Sequence, residues 1–305
     1  MAEGKRKGKL VTVIVIAVLL LITIVVGHFV GGVPDDLFSD VGLRSGQTGD
    51  SSEFCVHFIN VGQGDCTLFT CGDTAVLVDG GEYAQANTVV NYLKNQSVDD
   101  IDCLIATHPH SDHIGSLSSV ITKFKVNSLI MPQLPEELVP TTSAYERFLK
   151  AVSANVKDVI PAKAGKSYTY GKLVIDVLSP GKTYDDLNNM SVVARISCGG
   201  ASVMTTGDAG TTVEKDIIAA GYNLKSDILK VGHHGSRTST GDKWLKAVDP
   251  DIAVISCGKN NDYGHPHKEV VNRLKKAGVE YRRTDLEGSI VYRYDGTDFT
   301  EVDVL

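Results

Sequence analysis

The chain of 305 residues is 42% hydrophobic and 22% charged, enough for one large domain or two small ones, and this composition excludes a disordered or fibrous protein. A formal charge of −7 excludes a general electrostatic grip on nucleic acid through a basic surface, so any hold on phosphates has to be local.

From Leu10 to Val26 only Thr12 and Thr23 interrupt an apolar run. With residues 27–30 the stretch reaches about 20 residues, the length that crosses a hydrocarbon core of roughly 30 Å. Lys5, Arg6, Lys7 and Lys9 precede it with Glu3 as the only acid, and such a positive flank stays cytoplasmic. Residues 1–9 therefore read as a basic cytoplasmic segment and 10–30 as one transmembrane helix. A cleaved signal peptide competes with this reading, but its apolar core is usually about 7–15 residues long and ends in a small-x-small site, which does not follow here. Either way the remainder is expected outside the cytoplasm, carrying −10 because residues 1–9 hold four positive charges and one negative.

Residues 31–52, with five Gly and four Ser and no sustained periodicity, read as a flexible linker. The folded domain is expected over 53–305, about 250 residues, within the reach of a single core. Its alternation of apolar runs and helical patterns predicts an α/β fold. Strands are expected at 54–61, 66–70, 75–78 and 103–106, with a helix at 84–94 and a short helix after Gly115. Further strands are expected at 173–178, 192–197, 202–205, 227–231, 252–256, 289–293 and 299–304, and helices at 211–220, 242–247 and 268–277. Of the six cysteines, Cys66 and Cys71 share a strand and stand too far apart for a bridge. Cys55 and Cys71 can meet across a hairpin in one register only. Cys103, Cys198 and Cys257 lie in or beside apolar runs and read as core residues.

Chemistry concentrates where strands end. His108, His110, Asp112 and His113 lie within six residues directly after an apolar strand, a set that suits zinc, manganese or iron. Asp208 follows a second strand, where it reads either as a helix N-cap or as a bridging ligand. His233 and His234 follow a third. The turn from Gly62 through Gln63 and Gly64 to Asp65 either presents backbone N–H groups to an anion or is simply a tight hairpin that needs glycine. Ser236, Asn260 and Asn261 are further substrate contacts on the same rim. His57 and His267 read as structural or exposed.

The HxHxDH run, Leu77-Val-Asp-Gly-Gly81, Thr206-Gly-Asp208, Leu229-Lys-Val-Gly-His-His-Gly-Ser236 and Tyr263-Gly-His-Pro266 resemble the metallo-β-lactamase superfamily. Together with Phe58–Asp65 they resemble most the extracellular nuclease domain of ComEC-type competence proteins. The resemblance implies a four-layer αββα sandwich and two divalent metal ions, zinc or manganese. By matching motif, His108 and His110 would bind the first metal, Asp112, His113 and His234 the second, and Asp208 would bridge them. His233 would contact substrate, although the choice between His233 and His234 as ligand stays open. Asp79 would brace the metal loop. No His lies between His113 and Asp208 to supply the imidazole the superfamily usually adds, leaving water, substrate or Asn189 to complete the first shell.

Such a pair of metals brings a bound water to near-neutral pKa as nucleophile, oriented by Asp112, while His265 contacts a phosphate oxygen or protonates the leaving group. The resemblance thus implies a phosphodiesterase acting on DNA, with its catalytic domain outside a bacterial cell membrane. The alternatives are a phosphoesterase on choline esters of cell-wall teichoic acid and, of a different class, a non-catalytic DNA- or wall-binding module. β-Lactam hydrolysis ranks below these because of the missing His. No protein partner is indicated.

Overall fold

The computed structural model describes residues 53–303. The expected anchor at 10–30, the basic segment 1–9 and the linker 31–52 lie outside the described residues, among which no helix is long and apolar enough to cross a membrane.

Two sheets form the centre. The first contains β1 (Phe54–Phe58), β2 (Thr67–Cys71), β3 (Thr74–Val78), β4 (Asp100–Ile105), β5 (Lys125–Met131), β6 (Asp158–Pro161), β14 (Ile290–Tyr294) and β15 (Phe299–Val302), in spatial order β15-β14-β1-β2-β3-β4-β5-β6. The second runs β13-β12-β11-β10-β9-β8-β7, from β13 (Glu280–Arg283), β12 (Ile252–Ile255), β11 (Ile228–Lys230) and β10 (Ala201–Thr205) to β9 (Val193–Cys198), β8 (Leu173–Ser179) and β7 (Lys166–Tyr170). Both are mixed sheets, parallel from β3 to β6 and from β10 to β13.

Strand alternation sorts the core into three layers. Phe54, Val56 and Phe58 of β1 face inward with Ile175, Ala194, Ile196 and Val203 of the second sheet, forming the core between the sheets. The opposite faces carry Leu68, Leu77 and Leu104, covered by α1 (Ala86–Asn95), α3 (Leu117–Lys123) and α4 (Ser143–Asn155). The second sheet is covered in the same way by α5 (Thr211–Ala220), α6 (Asp242–Val248) and α7 (Lys268–Ala277). Strands buried on both faces read as continuous apolar runs, which is why they were legible. Fully burying one side chain such as Phe58 contributes roughly 1.5–3 kcal/mol.

The register settles the cysteines. Cys55 pairs with Thr70, while Cys71 pairs with Phe54, so Cys55 and Cys71 point to opposite faces and do not meet. Cys71 instead packs against Cys198 of β9 across the inter-sheet core, with sulfurs 2.8 Å apart. Between residues 125 and 170 the structure adds β5, α4, β6 and β7, which the sequence reading left without elements. β6 and β7 are mostly exposed edge strands and lack an apolar signature. α4 buries Ala144, Tyr145, Phe148 and Val152 along one face and is capped by Thr142, whose hydroxyl accepts from the Tyr145 N–H at 3.3 Å.

Candidate metal centre

Five loops converge at one edge of the sandwich, each following the C-terminal end of a strand: β3 and β4 from the first sheet, β10, β11 and β12 from the second. This is the edge at which α/β sheets collect ligands. β3 delivers Asp79. β4 delivers Thr107 to His110 and then the single turn α2 (Ser111–Ile114), which carries Asp112 and His113. β10 delivers Asp208, β11 delivers His233 and His234, and β12 delivers His265.

Asp208 is 2% exposed and sits at the middle. Its Oδ1 lies 3.3 Å from His113 Nε2 and 3.6 Å from His234 Nε2, while its Oδ2 lies 3.7 Å from His108 Nε2 and 3.4 Å from His233 Nε2. Each carboxylate oxygen thus faces its own pair of imidazoles. On one side, His108 Nε2 and His110 Nδ1 approach to 3.0 Å. On the other, Asp112 Oδ2 is 3.2 Å from His234 Nε2 and 3.9 Å from His113 Nε2.

Three of these rings are held from behind. Asp79 Oδ2 takes the His113 Nδ1–H at 2.7 Å, and the Ser256 carbonyl takes that of His234 at 3.0 Å. Thr107 Oγ1 donates to Asp79 at 2.6 Å and lies 3.1 Å from His108 Nδ1, from which it accepts. With Nδ1 engaged, each Nε2 turns inward, the arrangement in which imidazole binds metal. His113 Nε2, His234 Nε2 and Asp208 Oδ1 are buried and make no hydrogen bond, although they lie within reach of one another. Buried imidazole nitrogens and a carboxylate oxygen that converge without a hydrogen bond are costly unless positive charge, a proton or a metal ion, sits between them, and this donor set fits a divalent ion.

The electrostatics agree. Burial would raise the Asp208 pKa, but His113, His234 and His108 hold it well below the usual carboxylate range. Burial opposes charge on His113 too, yet Asp208, Asp79 and Asp112 push its pKa well above the ordinary imidazole value. His234 is raised to about 10, its burial outweighed by Asp208 and Asp65. His108 and His233 go the other way, lowered by burial.

A cleft of about 750 Å³ opens onto this cluster, lined by Gln63, His110, Asp112, Asp208, His233, His234 and His265 among others. The two histidines left open by the sequence separate here: His234 is buried within the cluster, whereas His233 stands at its rim with 23% of its side chain exposed. Both adopt left-handed backbone angles (φ 49° and 53°), rare for non-glycine residues and costing of order 1–3 kcal/mol each, strain of the kind found at functional sites. His265 is lowered to about 4, first by burial and then by His234 and His233, so near pH 7 it is neutral; it offers a hydrogen bond in place of the proton donation expected of an acid.

Several expected substrate contacts sit elsewhere. Asp65 is 4% exposed and ion-paired with the buried Lys230, which holds its pKa down at about 2 against burial. Its N–H donates to the Asp112 carbonyl at 3.1 Å, so this turn packs beneath the metal loop and presents no open anion nest. Gly64, at φ +150°, touches the same carbonyl so closely that a Cβ would overlap it. Gln63 reaches the cleft but also takes the Gly258 N–H at 3.0 Å. Ser236 is buried with its hydroxyl 3.0 Å from that of Thr238, Asn261 accepts from His265 N and donates to the His265 carbonyl, and neither they nor the exposed Asn260 lines the cleft. Asn189, one of three candidates, with water and substrate, for completing the first shell, is occupied by the Gly210 N–H and Asp186. The neighbouring Asn188 lines the cleft instead, with Oδ1 unpaired. The sequence reading missed Asn188, Lys230, Tyr83 and Arg147. A lysine ending a strand reads as solvated, and only the Lys-Val-Gly-His-His motif around Lys230 could have drawn attention to it.

Two sheets flanked by helices and a His/Asp cluster at their strand ends define a metal-dependent hydrolase. The chain belongs to the Metallo-beta-lactamase superfamily, whose sequence pattern matches residues 59–259, a span that includes every expected ligand. That membership implies divalent metal ions. The chain is 32% identical to ComE operon protein 3 of Bacillus subtilis over 80% of its length and 33% of that protein's, and 31% identical to Competence protein ComA of Neisseria gonorrhoeae over 79% and 32%. It spans about a third of the length of these curated relatives. Among solved structures it is similar to Igni18, a metallo hydrolase of Ignicoccus hospitalis, with TM-score 0.55 and 17% identity over 79% of this chain and 100% of that one.

Proposed function

We propose that the chain is an extracytoplasmic phosphodiesterase that hydrolyses DNA, using zinc or manganese. In this reading residues 1–9 lie in the cytoplasm of a bacterial cell, 10–30 anchor the chain in its membrane, 31–52 are the tether and 53–305 the hydrolase domain. The apolar run with its basic flank supports the anchor. The observation that carries the DNA reading is that the similarity to competence proteins covers about four-fifths of this chain and includes the whole His/Asp cluster.

When bound, two divalent ions supply a water acidified to near neutrality and positive charge beside the phosphate oxygens. His108 and His110 would hold one ion and Asp112, His113 and His234 the other, with Asp208 giving an oxygen to each. Asp112, partly exposed at the cleft edge, would orient the attacking water. His233, neutral at the rim, hydrogen-bonds the substrate. Gln63 lies 3.5 Å from His265 Nδ1, and with the amide donating there the His265 Nε2–H is free for a phosphate oxygen.

The test is hydrolysis of single- and double-stranded DNA, bis-p-nitrophenyl phosphate and p-nitrophenylphosphorylcholine by the detergent-solubilised full chain with manganese or zinc. Metal-dependent DNA cleavage that falls at least about 100-fold in Asp208→Ala is expected, since loss of even an outer support of a metal costs about 10–100-fold. Turnover of the choline ester with DNA left intact would move the function to cell-wall polymers.

A further inference from the structure

Exposed aromatic rings are uncommon where water is the only neighbour, because burying 150–250 Å² of ring surface is favourable. Among the described residues two tyrosines stand well exposed, Tyr263 at 66% and Tyr83 at 53%, and both line the cleft that leads to Asp112 and Asp208. They come from opposite sheets, Tyr83 after β3 and Tyr263 after β12. Tyr263 lies on the His265 imidazole, with ring centroids 5.6 Å apart and planes 18° from parallel, and His265 in turn touches His233 at 5.6 Å. Tyr83 carries the Arg147 guanidinium over its ring, 4.6 Å from the centroid. Among the described residues Arg147, from α4, is the only lysine or arginine in the lining.

We propose that Tyr83 and Tyr263 are stacking platforms for unpaired nucleobases and that Arg147 pairs with a neighbouring phosphate, so that the substrate is single-stranded nucleic acid. This inference rests on the phosphodiesterase reading above. A ring offers every base a face regardless of sequence, and in a duplex those faces are already stacked on one another. One cation gives little backbone grip, which leaves the rings to hold the strand. A quaternary ammonium also favours aromatic faces, but the guanidinium already seated on Tyr83 repels it.

The experiment compares steady-state hydrolysis by the manganese-loaded full chain of a single-stranded oligonucleotide, the same strand with abasic sites, the corresponding duplex and bis-p-nitrophenyl phosphate. The intact strand is expected to show the lowest KM. Tyr263→Ala raises that KM by about 5- to 150-fold, following the worth of one stacked base, and narrows the preference for intact over abasic strand, which the double variant Tyr83→Ala/Tyr263→Ala erases, while Tyr263→Phe retains it. Equal kcat/KM on intact and abasic strands, or a Tyr263→Ala loss of the same size on both, overturns the stacking platforms and leaves the nuclease standing. Hydrolysis of bis-p-nitrophenyl phosphate with neither strand cut removes the nucleic-acid reading itself.

Discussion

His113 and His234 face carboxylates through their inner nitrogens, and without an ion a proton takes the ion's place. Both pKa values are raised, so the protons are held at neutral pH; the stability they confer is fully present below the unfolded value of about 6.5 and is lost as pH rises, for His234 through about 10. Metal loading near pH 7 should therefore release about two protons from these rings, read by titration calorimetry in buffers of different ionisation enthalpy. Binding without proton release would contradict the charged rings. Lys230 makes a second residue-level prediction. Its ammonium donates to Asp65 and to the Val231 carbonyl at 2.9 Å, both in the interior. Lys230→Met leaves the buried Asp65 carboxylate without its lysine and with His234 beside it, and should lower unfolding free energy by up to about 3–5 kcal/mol in urea. The contiguous ligand-type residues were readable because six residues of sequence hold four of them. Lys230, Arg147 and Tyr83 were not, since a single charged or aromatic residue in a loop carries no pattern until the fold shows what it faces.

The loops do their work through contacts between elements. The turn after β1 presses against the carbonyl of Asp112, and only glycine fits at position 64. Gly64→Ala should push Asp112 out of line and cut kcat on bis-p-nitrophenyl phosphate by at least about 100-fold, a cost typical of a misplacement near 1 Å, while far-UV circular dichroism stays that of the parent. An active Ala variant would mean the metal loop tolerates that displacement. The central strands β1 to β4 were legible through their apolar runs, whereas β5, which opens on the exposed Lys125 and Asn127, was not, and the helices α5 and α7 were bounded by the sequence reading as the structure has them. β6, β7 and β13 were not read because their residues are half-exposed or exposed and hold no buried apolar residue; only β7 alternates, through Tyr168 and Tyr170. The hairpin register was the other open point; it turns on a single residue, and the pairing of Cys55 with Thr70 decided it.

At the scale of the whole molecule, the ligand-type residues come from both sheets, so a bound ion ties the two halves together. Saturating metal should stabilise the folded chain by about 2.7 kcal/mol at a hundred times Kd, seen as a rise in Tm that chelator reverses. A Tm indifferent to metal would mean the cluster does not bind it in the folded state. The cleft has a consequence for ionic strength as well. Proteins that hold strands with many cations lose affinity steeply as salt displaces them, whereas here a chain of net charge −7 places, among the described residues, one arginine along the proposed path of the strand. Releasing roughly one counterion gives a slope of about −0.7 for log affinity against log salt. Such an enzyme would lose only about fivefold in affinity for each tenfold rise in salt.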